Sequence, residues 1–107
     1  MKLPPDAFIA RRKVTDYLLT WRLEDDKSGF LALAGYTSEH ADRLLDDLGG
    51  LLVGDAEFVE TTEYGDKYRI RGTLVGPNGR TLRVASIWMT EDATGQVKFL
   101  TLYPDKT

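Results

Sequence analysis

The sequence predicts an α+β domain, with about three N-terminal helices packed on one face of a four-stranded antiparallel meander. Three observations predict it. Apolar residues recur at helical spacing as far as about residue 52. From Ala56 onward the apolar residues alternate instead. Strong turn signals, Tyr64-Gly65-Asp66, Gly76-Pro77-Asn78-Gly79 and Ala93-Thr94-Gly95, punctuate that second half. At 107 residues the chain is one domain with a modest core, helical over 1–52 and sheet over 56–104.

Pro4-Pro5-Asp6 gives a stiff, extended lead-in, anchored by Phe8 and Ile9. Val14, Tyr17, Leu18 and Trp21 then fall at i, i+3, i+4 and i+7. They form one stripe of an amphipathic helix from about Ala10 to Arg22, with Arg11, Arg12, Lys13 and Asp16 outside it. Glu24, Asp25 and Asp26 suit the positive end of a second helix. Its buried side is Phe30, Leu31, Leu33 and Ala34, and Gly35 suits a left-handed cap before Tyr36. Thr37 or Ser38 caps a third helix, whose inner stripe is Ala41, Leu44, Leu45 and Leu48. Gly49-Gly50 weaken its end.

Ala56–Thr62 is the first strand. The second places Tyr68, Ile70 and Leu74 on one side and Lys67, Arg69, Arg71 and Thr73 on the other. Asn78-Gly79 tolerates positive φ and marks a hairpin. The third splits Ala85, Ile87 and Met89 from Leu82, Val84, Ser86, Trp88 and Thr90; neither side is polar, so it lies inside the sheet. The fourth splits Leu100 and Leu102 from Phe99, Thr101 and Tyr103, and Pro104 ends it. With Ile70, Ile87 and Leu100 facing the helices, the open face carries Arg69, Arg71, Ser86, Trp88, Thr101 and Tyr103.

Composition narrows the functional classes. Apolar residues make up 42% and charged residues 29%, as in ordinary globular proteins. No apolar run reaches membrane-spanning length, and Met1–Pro5 has no signal-peptide core, so neither a membrane partner nor export is expected. The absence of cysteine excludes disulfides and thiolate metal sites, and fits a cytoplasmic location. The formal charge is −3, yet it is segregated. Residues 37–66 are acidic but for Arg43, whereas Lys67, Arg69, Arg71, Arg80 and Arg83 are the only charges in 67–83.

His40, the single histidine, falls in the first turn of the third helix and is expected to be structural. Neighbouring side chains diverge, so Glu24, Asp25 and Asp26 better serve a helix end than a hard cation. No metal and no cofactor is expected. Gly76 and Gly79 lack the Gly-Lys-Ser/Thr ending of a phosphate loop, and no Gly-x-Ser-x-Gly elbow occurs. What remains is a face of guanidinium groups, hydroxyls and rings. It suits RNA, since Arg pairs with phosphate and Trp or Tyr stacks on an unpaired base. It also suits metal-independent cleavage by 2′-OH attack. An ordinary polar outer sheet face is the alternative.

Several stretches taken in order carry a resemblance: Lys27-Ser-Gly-Phe30-Leu-Ala-Leu-Ala-Gly35-Tyr36, Tyr64-Gly-Asp-Lys-Tyr68, Gly76-Pro-Asn-Gly-Arg80, Val84-Ala-Ser-Ile-Trp88 and Leu100-Thr-Leu-Tyr-Pro104. Met1-Lys-Leu-Pro4 and Asp16-Tyr-Leu-Leu19 extend it over nearly the whole chain. The chain resembles an uncharacterised bacterial domain family of short stand-alone proteins and C-terminal tips of polymorphic and contact-dependent toxins. That family is similar to the barnase/colicin/RelE-like ribonuclease fold. The resemblance implies a toxin-type endoribonuclease acting on RNA, tRNA included, and restrained by an immunity or antitoxin protein. It implies Lys27 and Arg80 as stabilisers of phosphate charge, and Thr101 and Tyr103 as groups that position or protonate the reacting oxygens. Lys67 and Ser86 match its pattern too, with Trp88 stacking a base or filling core. With Arg69 and Arg71, these make the expected RNA-binding set. This sequence departs from the family pattern where Glu24-Asp25-Asp26 precede Lys27. The competing expectations are a non-enzymatic interaction module, whose acidic 37–66 segment meets a basic partner, and a small ligand-binding domain.

Overall fold

Alternation and tight turns make the second half of the chain pair with itself in sequence order. In the computed structural model, which describes residues 1–23 and 26–106, the strands are β1 (Ala56–Thr62), β2 (Gly65–Val75), β3 (Thr81–Glu91) and β4 (Val97–Pro104). They form one antiparallel sheet in the order β1-β2-β3-β4. The fold is the expected α+β arrangement, with three helical segments packed on the sheet: α1 (Lys13–Leu18), α2 (Ser28–Ala32) and α3 (Ala41–Gly50).

The register settles which face is inside. Ile70 pairs with Ser86 and Ser86 with Leu102, so all three share a face, and all are fully buried against the helices. Ile87 pairs with Arg69 and Thr101 and lies on the other face. This corrects the expectation that Ile87 and Leu100 face the helices while Ser86 and Trp88 face out. β4 carries a register shift opposite Ile87 and Trp88, which lets Phe99 and Leu102 both be buried at odd spacing. Strict alternation cannot anticipate that step.

Trp88 is at the centre of the core, 0% exposed and edge-to-face with Phe99 at 5.3 Å. Its indole Nε1 donates to Ser86 Oγ at 2.9 Å, and Ser86 Oγ donates to the Ile70 carbonyl at 2.9 Å. The one buried serine is thus a polar relay that satisfies the tryptophan.

α1 is shorter than the expected Ala10–Arg22 and is wound as a π-helix, Leu19 N donating to the Val14 carbonyl at 2.9 Å. Thr20 Oγ1 donates to the Thr15 carbonyl at 2.6 Å, a bond that competes with continued helix. Val14 and Leu18 are buried, but Trp21 is 69% and Leu23 87% exposed, so Trp21 does not join the inner stripe. Asp26 lies just ahead of α2, and its carboxylate accepts from Ser28 N, Ser28 Oγ and Gly29 N in the first turn. These bonds, with one from Arg22 N, hold its pKa below the ordinary carboxylate range, the Ser28 hydroxyl contributing most. Glu24 and Asp25, expected at the same helix end, lie outside the described residues. Leu31 and Ala34 are buried, while Leu33 is exposed, contrary to expectation.

Gly35, with φ +88°, closes α2 as expected. Beyond it the β2–β3 turn docks on the helix end, Asn78 N donating to the Ala34 carbonyl and Asn78 Nδ2 to the Leu33 carbonyl. A Cβ on Gly76 would lie 2.0 Å from Ala34 O, so only glycine allows this approach. Thr37 and His40 cap the entry to α3; the Thr37 amide donates to His40 Nδ1 at 3.2 Å.

Tyr36 is buried, and its hydroxyl donates to Asp47 Oδ2. Burial first, and the Asp47 carboxylate next, push its pKa well above the ordinary 10.0. The fold therefore holds the neutral phenol. This contribution is complete below pH 10 and is lost as pH rises above it. Thermal melts between neutral and strongly alkaline pH should show a stability loss beginning above about pH 10. Tyr36→Phe should flatten that limb, at a cost of about 1 kcal/mol near neutrality. An unchanged limb would remove Tyr36 as its cause.

The N-terminal segment ties the sheet's two outer strands. Ala56 N donates to the Met1 carbonyl at 2.7 Å. Phe8 N donates to the Val97 carbonyl and Phe99 N to the Phe8 carbonyl, both at 2.8 Å. Between them Leu3 is buried in the core.

Candidate functional site

The sheet face turned from the helices is a grid fixed by register. Glu57, Arg69, Ile87 and Thr101 make one row, and Arg71, Ala85 and Tyr103 the next. Glu60, Lys67, Met89 and Lys98 lie on the other side of the first. Period-two alternation of β2 therefore brings Lys67, Arg69 and Arg71 together, as the sequence predicts.

At the centre, Glu57 spreads its two oxygens over two guanidinium groups. Arg69 Nη2 is 3.6 Å from Oε2 and Arg71 Nε is 3.6 Å from Oε1. Both are ion pairs beyond hydrogen-bond length. Tyr103 first, and the Glu57 carboxylate behind it, hold the Arg69 guanidinium's pKa above its ordinary value. Arg69 Nε is shut from solvent and has no hydrogen-bond partner. An orphaned buried donor costs about 1–3 kcal/mol.

Beside this centre the π turn of α1 sets Tyr17 over β4. Its hydroxyl is 3.1 Å from Thr101 Oγ1. Lys13 Nζ and Arg22 Cζ lie 5.5 and 5.4 Å from its ring centroid, within cation–π range. Below the ring opens a cleft of about 540 Å³ lined by Lys13, Tyr17, Val59, Glu60, Lys67, Ile87, Leu100 and Thr101. Its floor is apolar and its rim carries two ammonium groups and one carboxylate.

The predicted site residues divide. Lys67, Arg69, Arg71, Thr101 and Tyr103 share this face. Ser86 and Trp88 are sealed on the opposite face and cannot touch a ligand without unfolding. Lys27 is the N-cap of α2. Arg80 lies exposed in the β2–β3 turn, five residues before Ala85, the partner of Tyr103, or about 17 Å along the strand. Thus Lys27 and Arg80 are not in the grid with Thr101 and Tyr103. Conversely, Glu57, Glu60, Lys13 and Tyr17 were not singled out in the sequence. Glu57 and Glu60 were hidden in a general acidic bias, although pairing AEFVETT with DKYRIRG places them opposite Arg69 and Lys67.

No group of three or more histidine, aspartate or glutamate side chains suited to a metal ion occurs among the described residues. No helix among them is long and apolar enough to cross a membrane. The assembled groups can bind a phosphate, accept a proton at Glu57, and donate hydrogen bonds from Tyr17, Thr101 and Tyr103.

The family model described as a domain of unknown function (DUF6883) matches residues 3–106, and the chain belongs to that family. No curated protein matches it. Among solved structures, it is similar to a chain of a contact-dependent growth inhibition toxin–immunity protein complex from Klebsiella pneumoniae 342. The TM-score is 0.69 at 17% identity, over 91% of this chain and 98% of that one. At that identity the likeness is one of fold.

Proposed function

We propose, with membership of that family as the premise, that the protein is a toxin-type endoribonuclease working on the open face of its sheet. One observation carries the reading: Glu57 bridges Arg69 and Arg71 beside Tyr103, on the sheet face opposite the buried Ile70, Ser86 and Leu102. The fold's likeness to a chain of a toxin–immunity complex supports it. In the proposed reaction Glu57 takes the proton of a ribose 2′-OH. The 2′-oxygen bonds to phosphorus, and the P–O5′ bond breaks. Tyr103 protonates the departing 5′-oxygen, and a 2′,3′-cyclic phosphate remains. Arg69 and Arg71 stabilise the charge that builds on the phosphorane. Thr101 and Tyr17 position the ribose, and Lys67 holds a neighbouring phosphate. Lys27 and Arg80 take no part in the chemical step and meet flanking phosphates at most. A protein of immunity or antitoxin type would restrain the enzyme.

The test is incubation of the purified protein with total tRNA in chelator. Fragments ending in 2′,3′-cyclic phosphate are expected, and a 2′-deoxy substitution at the cut position should stop cleavage. Intact RNA, or equal cutting of the deoxy substrate, would refute the mechanism. One observation favours a second reading, a non-enzymatic interaction module: Glu57 already pairs with both guanidinium groups and offsets part of their charge, on a chain of net charge −3. That reading expects neither RNA binding nor cleavage.

A further inference from the structure

We infer that the outer edge of β1 is a docking site for an extended, basic segment of a protein partner, which joins the sheet as a fifth strand. The two borders of the sheet differ. On β4, Phe8 takes hydrogen bonds at both Val97 and Phe99. On β1, only Ala56 is engaged, by Met1. Alternation in an antiparallel ladder turns the Phe58 N–H and C=O outward, as at Ala56. Among the described residues no backbone group meets them. The border has neither lysine nor proline to discourage pairing; its guards are a register shift at Val59 and carboxylates, which do not repel a basic strand. It displays apolar surface on both sides, Phe58 being 58% and Val59 38% exposed.

Charge identifies the occupant. Asp55, Glu57, Glu60 and Glu63 lie along or beside β1, and no lysine or arginine occurs from residue 44 to residue 66. Asp55 is paired with Lys2 and Glu57 with Arg69 and Arg71, so Glu60 and Glu63 are the carboxylates left to meet a basic segment. A second copy would set the same carboxylates against these, and like charges across a strand pair repel. A strand alternating basic and apolar side chains meets the carboxylates with charge and Phe58 with surface, while its backbone pairs with the free groups. The inference requires no catalysis. If RNA is the substrate, the same occupant overhangs the cleft, since Val59 and Glu60 line it.

The probe is a synthetic peptide alternating lysine and valine, compared with the same peptide carrying proline at its central valines. The first should bind the parent, slow amide exchange at Phe58 and lose affinity with salt; the second should bind at least about tenfold more weakly. Phe58→Pro should cost a similar factor, because it removes an outward donor and leaves the β2 ladder intact. Phe58→Ser keeps the backbone donor and should cost several-fold, so the comparison stands even if the proline variant does not fold. Equal binding of the two peptides, protection mapped to the open face in place of β1, or self-association with Phe58 protected in the absence of peptide would each overturn the inference. Whether the parent cuts RNA leaves these outcomes unchanged.

Discussion

Trp88→Ala is expected to destabilise the protein by about 3–5 kcal/mol. Domains of this size have about 5–15 kcal/mol in total, so the variant would be near the limit of folding. The loss has two sources. Removing the indole leaves a cavity beside Phe99 in the buried core. It also removes the donor that Ser86 Oγ accepts. The melting temperature should fall by more than about 10 °C. Trp88→Phe keeps most of the ring volume and should cost only about 1–2 kcal/mol. The measurement separates two roles cleanly. An exposed stacking residue would lose RNA binding and keep its melting temperature, whereas Trp88 should lose stability first. A Trp88→Ala variant that melts with the parent would place the indole outside the core.

Arg69→Ala should lower RNA cleavage by about 100- to 1,000-fold, the loss typical of removing one preorganised donor from a developing oxyanion. Arg69 is chosen because it pairs with Glu57, lies beside Tyr103 and carries the unsatisfied Nε. Arg69→Lys should recover little, since an ammonium cannot reproduce the planar fork. Lys27→Ala and Arg80→Ala should stay within a few-fold of the parent, because both lie off the grid. Single-turnover cleavage, run beside thermal melts, checks all four variants. Equal losses at Arg80 and Arg69 would move the reacting phosphate to the hairpin turn and end the assignment to the sheet face.

Much of this architecture was legible because strand periodicity and turn chemistry are local. DKYRIRGTLV and Gly76-Pro77-Asn78-Gly79 fix β2 and its hairpin from neighbours alone. The orientation of the sheet was not local. β3 is apolar on both faces, so only its register against β2 and β4 decides that Ser86 and Trp88 point inward. A serine reads as a surface residue until its partner is seen; here it is the acceptor for an indole. The π turn in α1 likewise broke the helical count and released Trp21 to solvent. At the candidate site, Lys67, Arg69 and Arg71 follow from alternation within one strand. Glu57, their counter-charge, belongs to another strand, and Tyr17 reaches Thr101 across 84 positions of chain. Those contacts exist only after folding, so spacing could not show them.

The short tether from Met1 to Phe8 also sets an order of events. Its seven steps can reach about 25 Å, enough to cross a sheet about 14 Å wide. Its two anchors, Ala56 and residues 97–99, lie on opposite borders of the sheet. The clasp can therefore close only once all four strands have paired. Joining Phe8 to residues about ninety positions away carries a large loop-closure cost until the meander has drawn the two borders together, so the clasp is a late event in folding.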